Sequence, residues 1–114
     1  TVKPLDQDSI INSVSKTGRL LVLDTGAITG SVAGDIIAVV CSSLFDALKI
    51  APKRLGLPDH PEPTSYGMTA RYYNSAKHIV GVVATMMGLA IEKSFISEDL
   101  AHHDVPGKWF RGPF

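Results

Sequence analysis

The chain reads as an α/β domain built on a mostly parallel sheet, with helices on both faces. Helix-like and strand-like segments alternate along it, and one strand, "LLVL" at residues 20–23, is apolar without a break. A strand with one wet face alternates apolar and polar residues, so an unbroken run implies cover on both sides, as in a parallel sheet.

The elements follow in order. "PLDQDSIINSVSKTG" predicts a helix of about three turns. Asp6 is suited to cap its start, Ile10, Ile11 and Val14 share one face, and Gly18 stands where a left-handed residue commonly stops a helix. "RLLVLDT" is the central strand, followed by a loop with Gly26, Gly30 and Gly34. Beyond the loop, Ile36, Val40, Leu44 and Leu48 recur every fourth residue, with Ile37, Cys41 and Phe45 as the adjacent row, which predicts a long amphipathic helix. "APKRLGL" reads as a second strand that runs into the proline-rich loop "LPDHPEPTSYG". A last helix starts from Asn74 or Ser75 as cap, with Ile79, Val80, Val83 and Met87 as its apolar row and Gly88 near its end. "TVKPL" offers a possible piece of a third strand. A sheet of so few strands leaves its apolar member poorly covered, which calls for a partner or for further strands of a larger domain. Residues 1–90 thus form an incomplete domain, and residues 91–114 a C-terminal extension of mixed composition.

The totals bound the function. A chain of 114 residues with 45% apolar content is the size of one domain with a real core. Eleven basic residues balance eleven acidic ones, so no surplus of positive charge draws the chain to nucleic acid or an anionic membrane. The run "HIVGVVATMMGLAI" is shorter than the roughly 20 residues a membrane-spanning helix needs. A single cysteine and the absence of a signal-peptide pattern fit a reducing, cytoplasmic setting.

The glycine loop raises the question of a bound phosphate, since a helix N-terminus presents unpaired N–H groups and the positive end of the helix dipole. The spacing of Gly26, Gly30 and Gly34 by four matches neither the dinucleotide fingerprint nor the phosphate loop of nucleotide hydrolases, and no lysine follows the turn. Packing is the better reading. Gly26 turns the strand end, Gly30 allows close approach before the helix, and Gly34 lets the first helical turn, with Asp35, lie against the sheet. Other tempting side chains also read as structural. Cys41 falls in the apolar stripe of the long helix, as a core residue rather than a nucleophile. His60 is a surface residue of the proline loop, and His78 lies on a polar helix face. His102, His103 and Asp104 adjoin one another, but neighbouring histidines do not face one way on a regular element, so a metal site is not expected. Arg71, Tyr72 and Tyr73 suit an interface, as do the aromatic anchors Trp109, Phe110 and Phe114 of the tail.

The residues also resemble a family. "KPLDQDSIINSVSKTGRLLVLDTG" and then "TGSVAGDI" are similar to the C-terminal domain of transketolase-like thiamine diphosphate enzymes, above all to the β subunit of the decarboxylating component of 2-oxo acid dehydrogenases of the pyruvate, branched-chain and acetoin type. "LGLPDHPEPTSYGMTARYYNSAKHIVGVV" continues the likeness to about residue 87. The chain departs from the family pattern at Ala27, Ser31, Ala33 and Asp35, where a bulky aromatic, two glycines and a glutamate are usual. The resemblance implies a fold that has one more strand-helix unit ahead of residue 1. It also implies thiamine diphosphate and magnesium in the parent enzyme, held by other domains, so neither catalytic nor cofactor-binding residues are expected in this chain. The implied role is assembly: contact with a second copy or with other subunits, including a dihydrolipoyl acyltransferase. The rival reading is a free-standing module that binds an anion or nucleotide on loop 26–34.

Overall fold

The computed structural model describes residues 1–69 and 71–90. In chain order the elements are helix α1 (Gln7–Thr17), strand β1 (Leu21–Ala27), helix α2 (Val32–Leu44), a 3₁₀ turn (Phe45–Ala47), strand β2 (Lys53–Leu57), a short helix α3 (Tyr66–Thr69) and helix α4 (Ala76–Met87). β1 and β2 pair in parallel. The expected α/β class with a parallel sheet is therefore what the chain forms, with two strands in the described sheet.

Local chemistry sets the helix ends. Asp6 caps α1 by accepting from the backbone N–H of Ser9 at 3.1 Å and from its hydroxyl at 2.8 Å. Gly18 ends α1 at φ 67°, and its N–H reaches the Val14 carbonyl. Gly18 is also tightly enclosed: a Cβ there would lie 2.9 Å from the Ala47 carbonyl oxygen and 2.8 Å from Lys49 Cγ. The Lys49 N–H donates to the Gly18 carbonyl at 2.8 Å, which joins the end of α1 to the segment entering β2. Ser75, rather than Asn74, caps α4 by accepting from the His78 N–H, and Gly88 ends that helix at φ 71°. The Asn74 side chain instead donates to the Gly56 carbonyl at 2.9 Å, fixing the start of α4 against β2.

α2 packs against α1 and β1 and carries the deepest residue, Val40, which is fully buried. Burying a valine side chain contributes about 1.5–3 kcal/mol. Ala33, Val14, Tyr72, Ala84 and Met86 complete the buried apolar set among the described residues. Arg19 ties α4 to the start of β1, its Nε donating to the Met86 carbonyl at 2.9 Å.

Several expectations are corrected. α2 ends at Leu44, so Leu48 lies beyond the helix, and Phe45 in the 3₁₀ turn is 71% exposed rather than part of the buried stripe. Cys41 is half-buried and unpaired. On α4 the buried residues are Ala84 and Met86; of the apolar row read from periodicity, Ile79 is half-buried, whereas Val80, Val83 and Met87 are 42–50% exposed and face away from the described core. "TVKPL" adds no strand: Val2 and Leu5 bridge each other across a tight turn, outside the sheet. Leu23 of β1 is 52% exposed, so among the described residues the apolar run is not covered on both faces.

These contacts order the glycine substitutions. Gly18→Ala adds left-handed strain to a clash with a backbone carbonyl and is expected to cost about 2–4 kcal/mol. Gly34→Ala meets only the end of the Arg54 side chain and is expected to change stability by less than about 1 kcal/mol. Urea midpoints for the two variants check the order, and equal midpoints would refute it.

Candidate functional site

The parallel pairing brings the carboxyl ends of β1 and β2 together, the position where α/β sheets commonly bind ligands. The register runs Leu21 with Lys53, Val22 with Arg54 and Leu23 with Leu55, then shifts so that Ala27 pairs with Leu57. β1 therefore carries extra residues opposite β2, and they bulge. Within the bulge the Asp24 carboxylate accepts the Gly26 N–H at 2.9 Å. Gly56 lies beneath the bulge and eases it: a Cβ at Gly56 would sit 3.1 Å from the Gly26 carbonyl oxygen and 3.2 Å from Ile28 Cα. The Ile28 N–H then donates to the Leu57 carbonyl at 2.8 Å, extending the pairing past the strand ends.

The strand-end loops are joined by side chains. Asp59, just after β2, accepts the Thr29 backbone N–H at 3.1 Å and the Thr29 hydroxyl at 2.5 Å. Both bonds hold the Asp59 carboxyl below its ordinary value, the hydroxyl contributing most, then the backbone N–H, with Arg54 adding a small attraction. Tyr72 closes the far side. It is buried, its hydroxyl donates to the His60 carbonyl at 3.3 Å, its ring lies 5.3 Å from the His60 ring, and Tyr73 meets it edge-on at 5.2 Å. His60 Nδ1 lies 3.0 Å from the Pro61 carbonyl oxygen. Together Ala27, Thr29, Pro58, Asp59, His60, Pro61 and Tyr72 line an open cleft of about 560 Å³.

The sequence-predicted loop residues occupy different roles. Gly30 has φ 75°, and no atom lies within 4 Å of where a Cβ would stand, so it is required for its backbone conformation and not for close approach. Gly56 is the close-approach glycine. Gly26 lies within the last part of β1, and Gly34 faces Arg54 from the first turn of α2, beside the exposed Asp35. Ser31 is the N-cap residue of α2 but makes no capping bond, and its buried hydroxyl oxygen has no partner among the described residues. Of the aromatic cluster, Tyr72 is an internal support of the cleft, while Arg71 and the 48% exposed Tyr73 remain at the surface. Trp109, Phe110 and Phe114, and the pair His102 and His103 with Asp104, lie outside the described residues. Among the described residues no three His, Cys, Asp or Glu side chains gather as metal ligands. No helix there is long and apolar enough to cross a membrane. Sequence reading missed Asp59, Thr29 and Gly56, and named Asn74 only as a possible cap; the one visible signal was an acid set between prolines directly after a strand.

Residues 1–79 match the transketolase C-terminal domain. The chain belongs to that family. The β subunit of acetoin:2,6-dichlorophenolindophenol oxidoreductase from Bacillus subtilis is 35% identical over 88 residues, covering 77% of this chain and 26% of that protein. The β subunit of the pyruvate dehydrogenase E1 component from Mycoplasma pneumoniae is 39% identical over 82 residues, covering 72% of this chain and 25% of the relative. The acetoin enzyme β subunit of Cupriavidus necator is 36% identical over 87 residues. This transketolase C-terminal domain therefore spans about a quarter of the length of the curated relatives it matches.

Within the domain, the glycine loop is tied to the loop after β2 by the clamp between Thr29 and Asp59. Its donors at Thr29, the backbone N–H and the hydroxyl, are occupied by the protein's own Asp59 carboxylate. Because the folded Asp59 carboxyl is shifted below 3.8, the clamp is intact above that value and is lost as the pH falls through the folded value. Hydrogen exchange at the Thr29 amide checks this: protection, corrected for intrinsic exchange, is expected to hold from neutral pH down past the ordinary aspartate value and to fall only as the pH drops through the lowered folded value. Asp59→Asn is expected to weaken protection at neutral pH. Equal protection at neutral pH in Asp59→Asn and the parent chain would contradict the clamp.

Proposed function

We propose that this chain is the assembly domain of a thiamine diphosphate-dependent 2-oxo acid dehydrogenase, in its β subunit, and that it carries no catalytic residue itself. The match to β subunits across about three quarters of the chain is the observation that carries the reading. The parent reaction implied by the resemblance is decarboxylation of a 2-oxo acid and transfer of the acyl group, with the carbanion chemistry supplied by the thiamine cofactor.

The cleft at the strand ends does not suit that cofactor. Asp59 would face the diphosphate as a like charge, and the Thr29 donors that could hold a phosphate are already engaged. The cofactor is accordingly assigned to other domains of the enzyme, and no step of the reaction is derived through this chain. The same occupied donors weigh against the rival reading of a free-standing anion or nucleotide module.

An assembly role accounts for the exposed apolar surface. Leu23 on β1 and Val80, Val83 and Met87 on α4 are exposed to an extent that a solitary domain gains nothing from. Further strands, a second copy, other subunits of the enzyme or a dihydrolipoyl acyltransferase are the proposed cover, with residues 1–90 as the domain and 91–114 as an extension that packs on a neighbour. Cys41 as the single cysteine suits a cytoplasmic setting for such an enzyme.

Two outcomes are expected. Titration calorimetry of the isolated chain with thiamine diphosphate and magnesium gives no saturable heat, and decarboxylation of pyruvate is at background; tight binding would overturn the placement of the cofactor elsewhere. Light scattering finds the chain at least dimeric, and removing residues 104–114 lowers the mass or stability of that species. A monomeric parent chain, or a truncation without effect, would refute the assembly role given to the tail.

A further inference from the structure

We propose that the cleft at the carboxyl ends of β1 and β2 receives an arginine side chain from a partner polypeptide, with Asp59 as its counter-charge. The proposal rests on the reading of the chain as an assembly domain and names one contact by which it would hold a neighbour.

The chemistry of the walls carries it. Asp59 accepts one hydrogen bond at each carboxylate oxygen, from the Thr29 N–H and the Thr29 hydroxyl. Both Thr29 donors are neutral, and the chain's own Arg54 adds only the smallest of the attractions on the carboxylate, so Asp59 is fixed in place without its charge being cancelled. A carboxylate offers about four acceptor directions, and two therefore remain for an incoming donor pair. Around it stand Pro58, Pro61, Ala27 and the rings of His60 and Tyr72. These are flat, weakly hydrated surfaces beside a fixed negative charge.

A guanidinium group fits that combination better than other groups do. It is planar, stacks on aromatic faces, donates in a fork matched to a carboxylate, and is less strongly hydrated than an ammonium. A lysine would satisfy the charge but not the flat walls. A phosphate or carboxylate would be repelled by Asp59. The cleft is open rather than enclosed, and six of its seven lining residues keep some exposure, which suits a side chain presented from another chain's surface more than a metabolite that must be engulfed. Tyr72 is the exception, and its buried ring, held by the bond to the His60 carbonyl, keeps the wall in place before any partner arrives.

The test is a ¹H–¹⁵N shift titration of the full chain with N-acetyl-arginine amide, and with N-acetyl-citrulline amide as the neutral analogue of the same shape. Saturable shifts at the amides of Ala27, Thr29, Asp59 and His60 are expected with the arginine compound, with a dissociation constant on the order of 1–10 mM for so small a fragment. Citrulline is expected to bind at least about tenfold more weakly, a factor that reflects the lost charge. N-acetyl-lysine amide is expected to fall between them. No saturable shift in the cleft, or equal shifts with citrulline, overturns the proposal. Free arginine binding more tightly than the capped form overturns the polypeptide source in favour of a metabolite. All arms use the unaltered chain, so the folding of a variant does not enter. The titration reads the cleft and light scattering reads assembly, so the failure of one is distinguishable from the failure of the other.

Discussion

The arrangement at the strand ends depends on one junction, the carboxylate of Asp59 bonded twice to Thr29. Parallel strands cannot be joined by a tight hairpin, so the loops that leave their carboxyl ends are distant in sequence and need a tertiary tie. Here the tie spans 30 residues and binds the loop before α2 to the loop after β2. It acts together with the Ile28 to Leu57 backbone bond and the Asn74 to Gly56 bond, so that β1, β2 and the start of α4 converge on the same few atoms. Gly56 eases the convergence, since a Cβ there would crowd the Gly26 carbonyl and Ile28 at 3.1–3.2 Å.

That junction changes the meaning of a glycine-bearing loop ahead of a helix. Such loops are ready-made anion sites because they present unpaired donors. In this domain the anion is built in. The same carboxylate that engages the Thr29 donors leaves a fixed negative charge at the mouth of a cleft lined by prolines and aromatic rings. The departures from the family pattern at Ser31 and Ala33 are compatible with this arrangement. Ser31 sits in extended backbone as the N-cap, a conformation that needs no glycine, and Ala33 is 1% exposed, so the small side chain fills its space without displacing the helix.

The opposite end of the sheet is tied more simply. Gly18 ends α1 and accepts the Lys49 N–H, Leu20 accepts the Lys53 N–H, and Arg19 holds the last turn of α4. The described core that results is small, with Val40 as its single fully buried large side chain. A core of that size leaves apolar surface on β1 and α4, the physical reason for expecting that this domain works against neighbours.

Much of this was legible from sequence. Asp6 and Gly18 bounded α1, Ser75 and Gly88 bounded α4, and the unbroken "LLVL" run with a later short strand implied parallel pairing, because caps, stops and hydrophobic runs act within a few residues of one another. The family likeness, too, lies in those local patterns. The tertiary structure alone decided which face of α4 is buried, since Val80, Val83 and Met87 are as apolar as the residues that meet the core and periodicity does not say what an apolar row faces. It alone showed that Gly56 and not Gly30 is the point of close approach, a property of two strands rather than of one loop. The pairing of Thr29 with Asp59 was equally invisible, because the register of parallel strands, not any spacing along the chain, brings those residues together.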